Sequence, residues 1–160
     1  MEKFSHYSPD GKSQMVDVTE KKVTSRSARA YGRVYMKRET LDLINNDLLP
    51  KGDVFEVARV AGILAAKRTG EMIPMCHPLL LTYVNVDLKM FTEENAIEIF
   101  SEIKLEGKTG AEMEALTAVS FAALTVYDMC KAVDKEIKIG DIHLVEKKGG
   151  KSDWNKRENK

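Results

Sequence analysis

The chain has 160 residues and a mass of 18.0 kDa, which is the size of one domain. A hydrophobic fraction of 43% and a charged fraction of 31% are typical of a globular protein and argue against extensive disorder. Twenty-five basic residues balance 25 acidic residues, which disfavours a nucleic-acid coat protein or a polybasic membrane binder. Two cysteines without metal-type spacing exclude a disulfide scaffold, and no secretory signal or membrane span is recognisable, so we expect a cytoplasmic protein.

The first predicted elements are a strand and two helices. Residues 1–14 are polar and are expected to be a flexible lead-in. The partly alternating row 22–36 predicts a strand, and apolar side chains at helical spacing predict a helix over 38–47. The apolar members of the strand are Val23, Ala28, Ala30, Val34 and Met36.

The second helix is predicted to begin after the cap Asp53, to run to about Thr69 and to stop at Gly70. It is apolar nearly all round, so we expect it to be buried on more than one side, under a sheet or at a subunit contact. A loop bracketed by two prolines follows over 72–78.

Two strands with clean alternation are predicted over 79–90 and 96–107. Alternation means one buried and one wet face, which favours an antiparallel pair, and the short connection 91–95 suits a hairpin. The inward sets are Leu80, Val84, Val86, Leu88 and Met90 in the first strand, and Ile97, Ile99, Ile103 and Leu105 in the second.

The last predicted elements are a long helix and a strand. Thr109 and Glu112 have the spacing of a capping box, which predicts a helix to about Asp134. Its expected inner stripe includes Met113, Leu116, Val119, Ala123 and Leu124. A strand is predicted over 137–146, and residues 149–160 are expected to be a flexible basic tail.

The order strand, helices, strand, strand, helix, strand is that of a ferredoxin-like α+β sandwich. In this fold an antiparallel sheet carries its helices on one face. We therefore expect a single ferredoxin-like domain over residues 15–148.

Three stretches carry polar groups that an ordinary fold does not need. Asp128 and Lys131 lie about 60° apart in helical projection, so both can face one pocket. Glu114 lies about 20 Å further up the same helix face, so a ligand that reaches all three is extended, as a nucleotide with its phosphates is. The other two stretches contribute Lys51 and the loop residues Met75, Cys76 and His77.

Each of these residues also has an ordinary structural interpretation. Asp128 and Lys131 could form a surface ion pair that contributes less than about 1 kcal/mol. Glu112 could have no role beyond the capping box, His77 could be a hydrogen-bonded loop residue, and Arg26 could protect a sheet edge.

Two glycine-lysine sequences imitate the end of a phosphate-binding loop. Residues 107–109 and 150–152 both lack the first glycine of that motif, so neither qualifies. Residues 149–151 could nevertheless form a basic flap over phosphate, or be no more than a frayed tail.

Nearly the whole chain, residues 15–152, resembles the MoaC family, the cyclic pyranopterin monophosphate synthases of molybdenum cofactor biosynthesis. The motifs that carry the resemblance are P-x-C-H-P-L (74–79), T-G-x-E-M-E-A-L (109–116) and Y-D-M-C-K (127–131). They are long and contiguous.

The resemblance implies a homohexamer, a trimer of dimers, with each active site at a subunit interface. It implies a lyase that converts (8S)-3′,8-cyclo-7,8-dihydroguanosine 5′-triphosphate, made by a radical-SAM enzyme, into cyclic pyranopterin monophosphate and diphosphate. By matching motifs, Asp128 is the expected catalytic acid/base, with Lys51 and Lys131 also in catalysis. The implied substrate contacts are Met75, Cys76, His77, Met113 and Glu114, with Arg26, Glu112 and Lys147 at further polar positions around the pocket.

A triphosphate requires several cations at one place, which Arg26, Lys51, Lys131 and Lys147 could supply in a neutral chain. We expect no cofactor and no metal held by the protein, although Mg²⁺ could accompany the triphosphate. We also expect no nucleic-acid or membrane partner.

Two other hypotheses stay open at this point. The protein could be a catalytically inactive hexameric scaffold that binds a nucleotide, which turnover would exclude. It could also be a single-stranded RNA-binding module, although Glu98, Glu102 and Glu106 on the predicted open sheet face would repel phosphate.

Overall fold

The computed structural model describes residues 10–156, and its framework is a five-stranded sheet in the order β2-β3-β1-β4-β5. All neighbouring strands are antiparallel, which confirms the predicted ferredoxin-like arrangement. The strands are β1 (Thr24–Tyr35), β2 (Tyr83–Phe91), β3 (Ala96–Gly107), β4 (Lys138–Lys148) and β5 (Trp154–Asn155). The helices are α1 (Arg38–Asn45), α2 (Val54–Lys67), α3 (Thr69–Met72) and α4 (Glu112–Cys130), with a 3-10 turn at Thr92–Glu94.

The core lies between one sheet face and the helices α2 and α4. The predicted alternation is confirmed, because Ala28, Val34 and Ile99 are at most 1% exposed while their neighbours face outward. Val23 and Leu80 were expected on buried faces, but they are 59% and 91% exposed. Both lie before their strands begin, where no sheet neighbour fixes the direction of the side chain.

Helix α2 begins as predicted and ends differently. The Asp53 carboxylate accepts hydrogen bonds from the backbone N–H groups of Phe55 and Glu56 at 2.9 and 3.1 Å, which confirms the cap. Gly70 is not the stop, because α2 ends at Lys67 and Gly70 lies in α3. A Cβ at position 70 would lie 2.9 Å from Cα of Pro78, so close packing against the following loop requires glycine there.

Helix α4 is the central core helix, although its length and composition alone would allow it to span a membrane. Its expected stripe is partly wrong, because Met113 and Leu124 are 37% and 53% exposed. Small residues are buried instead, since α2 crosses closely: a Cβ at Gly62 would lie 2.8 Å from the Ala118 carbonyl oxygen. Val119 and Ala123 are buried as predicted, and the further small residues buried on this face include Ala115, Ala118, Ala122 and Val126.

Both ends of α4 differ from the prediction. The capping box is absent, since Ala111 is the N-cap and no side chain caps it. The helix ends at Cys130, and Asp134 lies beyond it, where its carboxylate accepts hydrogen bonds from Thr40 Oγ1 and the backbone N–H of Lys37 at the start of α1.

The ends of the chain are only partly described. Residues 1–9 of the expected lead-in and 157–160 of the expected tail lie outside the described residues. Within the expected tail, Trp154 and Asn155 pair with β4 as β5, which the sequence analysis missed. This pairing holds the turn 149–153 beside the first residues of β1, where Thr24 Oγ1 donates to the Gly149 carbonyl oxygen at 2.8 Å.

Candidate functional site

A carboxylate between two ammonium groups lies at the C-terminal end of α4. Lys131 Nζ is 2.6 Å from Asp128 Oδ1, and Lys51 Nζ is 3.1 Å from Asp128 Oδ2. Lys51 also donates to the Asp128 carbonyl oxygen at 2.8 Å, so it is tied to the helix end twice. The structure therefore brings together the three residues that the sequence analysis assigned to catalysis, which we call the acid/base cluster.

Charge in the acid/base cluster favours the ionised carboxylate. Hydrogen bonds from Lys131 and Lys51 lower the pKa of Asp128, and Asp128 in turn raises the pKa of Lys131. The Asp128 side chain remains 58% exposed, so a ligand can reach it. An exposed carboxylate with ammonium groups on both oxygens can accept a proton while a neighbouring group donates one.

The loop after α3 lies beside the N-terminal half of α4. Burial raises the pKa of the Cys76 thiol, and the negative charge of Glu114 raises it further, so the two side chains are close enough to interact electrostatically. Glu114 is only 3% exposed, and burial raises its pKa to about 7. His77 Nε2 is 2.7 Å from the Val16 carbonyl oxygen, so this ring is occupied by the segment that precedes β1.

The other sequence-predicted polar residues line a cavity of about 510 Å³ at the N-terminal end of α4, which we call the basin. Lys147 Nζ lies 2.8 Å from Glu112 Oε1. The Arg26 guanidinium donates to the carbonyl oxygens of Gly107 and Lys108 at 3.3 and 3.2 Å. These hydrogen bonds fix the guanidinium at the basin wall without neutralising its charge.

One wall of the basin depends on a glycine. Gly149 has φ of +87°, and a Cβ on it would lie 1.9 Å from the Ser25 carbonyl oxygen. Only glycine therefore lets the turn that carries Lys151 and Ser152 approach β1 this closely. Sequence reasoning expected a flexible tail here, with a basic flap over phosphate as the alternative, and in the structure residues 149–152 line the basin.

The basin contains further cations that the sequence analysis did not assign to the site. They are Lys21, Lys22, Lys108 and Lys151. The two glycine-lysine sequences were the available signal for Lys108 and Lys151, while nothing in the spacing distinguishes Lys21 and Lys22 from solvated charges.

Within one chain, the four cations expected at one place form two groups. Lys51 and Lys131 belong to the acid/base cluster, whereas Arg26 and Lys147 line the basin. Glu112 and Asp128 mark the two groups and are 16 residues apart on α4, a separation of about 24 Å along the helix axis. The two groups therefore cannot contact the same small part of one ligand within a single chain.

Among residues 10–156, no group of three or more His, Cys, Asp and Glu side chains is arranged to hold a metal ion. The polar groups of both regions are lysines, an arginine and separate carboxylates, which suit an anionic ligand better than a metal.

The comparisons with known proteins agree on one family. The MoaC family model matches residues 15–150. A protein named cyclic pyranopterin monophosphate synthase, from Desulfatibacillum aliphaticivorans, is 57% identical over 152 residues, which cover 95% of this chain and 96% of that protein.

Proposed function

The chain belongs to the MoaC family, and on that premise we propose that it converts (8S)-3′,8-cyclo-7,8-dihydroguanosine 5′-triphosphate into cyclic pyranopterin monophosphate and diphosphate. It is a lyase of molybdenum cofactor biosynthesis that acts on a small-molecule nucleotide. The observation that supports this chemistry most directly is the acid/base cluster, in which Asp128 lies between Lys51 and Lys131.

The reaction needs proton transfer and charge stabilisation, and the acid/base cluster has groups for both. Rebuilding the purine-derived ring moves protons to and from nitrogen and carbon, for which Asp128 serves as the acid/base. Loss of diphosphate develops negative charge, which Lys51 and Lys131 stabilise on one side and Arg26 and Lys147 on the other. Met75, Cys76, His77, Met113, Glu114 and Glu112 complete the proposed set of substrate contacts.

The two groups of site residues act together across subunits in this proposal. About 24 Å of helix separates them in one chain, so the acid/base cluster of one subunit faces the basin of another in a homohexamer, a trimer of dimers. Apolar side chains on the outer faces of α2 and α4 support such contacts, because exposed apolar patches mark interaction surfaces. They are Val57, Val60, Leu64, Phe121 and Leu124, each between 39% and 53% exposed.

The remaining parts of the proposal concern cofactors and surroundings. The enzyme works in the cytoplasm on the product of a radical-SAM enzyme, without a resident cofactor, and any Mg²⁺ enters with the triphosphate.

RNA is not its ligand, because the open sheet face carries the carboxylates of Glu98 and Glu102, which pair with Arg33 and Arg29 at 3.3 and 3.0 Å. Those arginines are thereby unavailable to phosphate.

Replacing the acid/base residue tests the proposal. The variant Asp128→Ala should keep the fold and the assembly, because this side chain is mostly exposed, and should lower turnover by about 10²- to 10⁴-fold. Product and diphosphate formation are measured by chromatography, with Asp42→Ala on the exposed face of α1 as the matched control. Near-normal turnover by Asp128→Ala would contradict the assignment, and wild-type protein without turnover would support the inactive scaffold instead.

A further inference from the structure

The basin concentrates positive charge in a chain whose formal net charge is zero. Six cationic side chains line it, Lys21, Lys22, Arg26, Lys108, Lys147 and Lys151, against the single carboxylate of Glu112. Within this lining, five of the six cations have no carboxylate partner, a distribution that attracts a multiply charged anion.

Glu112 occupies a distinctive place in this basin. Its Oε1 is 2.8 Å from Lys147 Nζ, and within residues 10–156 Lys147 is the only one of the six cations in a salt bridge. The Glu112 side chain is folded back over the backbone, since a Cβ at Gly110 would lie 1.9 Å from Glu112 Oε2. Glycine at position 110 thus leaves the space in which the carboxylate lies across the basin.

A phosphate chain and the Glu112 carboxylate require the same partner. Both are anionic oxygen acceptors, and the Lys147 ammonium is a compact charge that binds either of them. Lys147 and Glu112 are 40% and 27% exposed, so the pair is open to exchange with an incoming ligand.

We propose that Glu112 is the internal counter-ion of the basin, displaced from Lys147 by the phosphate chain of the substrate and returning as diphosphate leaves. The proposal rests on the proposed function for the identity of the phosphate chain and for its place in the basin. It gives Glu112 the role of weakening the binding of the leaving diphosphate.

Inorganic pyrophosphate is the probe, because it is the leaving group of the proposed reaction and undergoes no chemical step on binding. Calorimetric titration of the assembled enzyme at low ionic strength compares wild type with Glu112→Gln, which keeps the shape of the side chain and removes its charge. The variant should bind pyrophosphate about fivefold more tightly or better, since one repulsive charge near the anion is removed. A merely structural role of Glu112 would leave the affinity unchanged or weaken it.

Two further variants show whether Glu112 acts through Lys147. Lys147→Met should weaken pyrophosphate binding. Adding Glu112→Gln to this variant should increase the affinity less than it does in wild type, because the Lys147 ammonium for which Glu112 and phosphate compete is absent. Glu93→Gln, a matched replacement at the exposed turn between β2 and β3, should leave the affinity unchanged.

The proposal is overturned if Glu112→Gln binds pyrophosphate no better than wild type, or if Lys147→Met binds it equally well. Turnover of the cyclised nucleotide by wild type is measured separately. If wild type is active but Glu112→Gln and Lys147→Met both bind pyrophosphate as wild type does, the counter-ion role is wrong while the proposed function stands.

Discussion

Glu114 should make the stability of this protein fall as the pH rises. The carboxyl is 3% exposed, and burial raises its pKa from 4.5 to about 7. The folded protein therefore holds this proton more tightly than the unfolded chain does. The resulting stabilisation is fully present below about pH 4.5 and is lost as the pH rises through about 7.

The size of the effect follows from the two pKa values. One pKa unit corresponds to 1.36 kcal/mol, so the difference between 4.5 and about 7 is worth about 3 kcal/mol between the two ends of the range. The variant Glu114→Gln resembles the protonated carboxyl in shape and carries no charge at any pH. It should match wild type closely in acid and be more stable by about 3 kcal/mol above pH 8.

Urea unfolding at pH 5 and pH 8 measures this difference for wild type and variant. Both proteins are compared at one subunit concentration, because the stability of an oligomer depends on concentration. Other carboxylates and histidines titrate in both proteins, so the difference between the two isolates Glu114. Between the two pH values, the advantage of the variant should grow by roughly 2.5 kcal/mol.

Glu93→Gln removes a carboxylate from an exposed position and serves as the control, with no comparable dependence on pH. An advantage of Glu114→Gln that is equal at both pH values would show that Glu114 is ionised throughout this range in the folded protein. The argument from burial would then be wrong for this site.

Three further substitutions test other parts of the structure. Asp53→Ala removes a cap that accepts two backbone hydrogen bonds at the start of α2, and should lower the urea-measured free energy of unfolding by about 1 kcal/mol. Leu64→Glu places a charge on the apolar outer face of α2 and should yield smaller species in light scattering after size exclusion, whereas unchanged mass would remove this face from the assembly. Gly149→Ala puts a Cβ 1.9 Å from the Ser25 carbonyl oxygen, so the basin wall should open and pyrophosphate affinity measured by calorimetry should fall.

Features that depend on near neighbours in the sequence were predictable. Alternation placed Ala28, Val34 and Ile99 on the buried sheet face, and a strand has only two faces from which to choose. The Asp53 cap needs only backbone N–H groups two and three residues away. Asp128 and Lys131 are three residues apart on one helix, so their pairing is equally local.

Features that depend on distant segments were not predictable in this way. Glu112 matches a capping box in sequence, but its carboxylate pairs with Lys147, which lies 35 residues later on β4. Which charges on separate elements lie close together depends on the order of the strands in the sheet. The periodicity of a single segment does not predict that order. The same holds for Trp154, whose pairing with β4 needs a partner strand already in place.

The sequence alone thus determined the alternating faces, the α2 cap and the family to which the motifs pointed. Tertiary structure decided where the charges gather: the basin takes its walls from the start of β1, the end of β3, the first turn of α4 and the turn after β4. It also separated that basin from Asp128 by most of the length of α4. The physical reason is that hydrogen bonding and amphipathic periodicity act over a few residues, whereas the field of a charged cavity is the sum of side chains far apart in sequence.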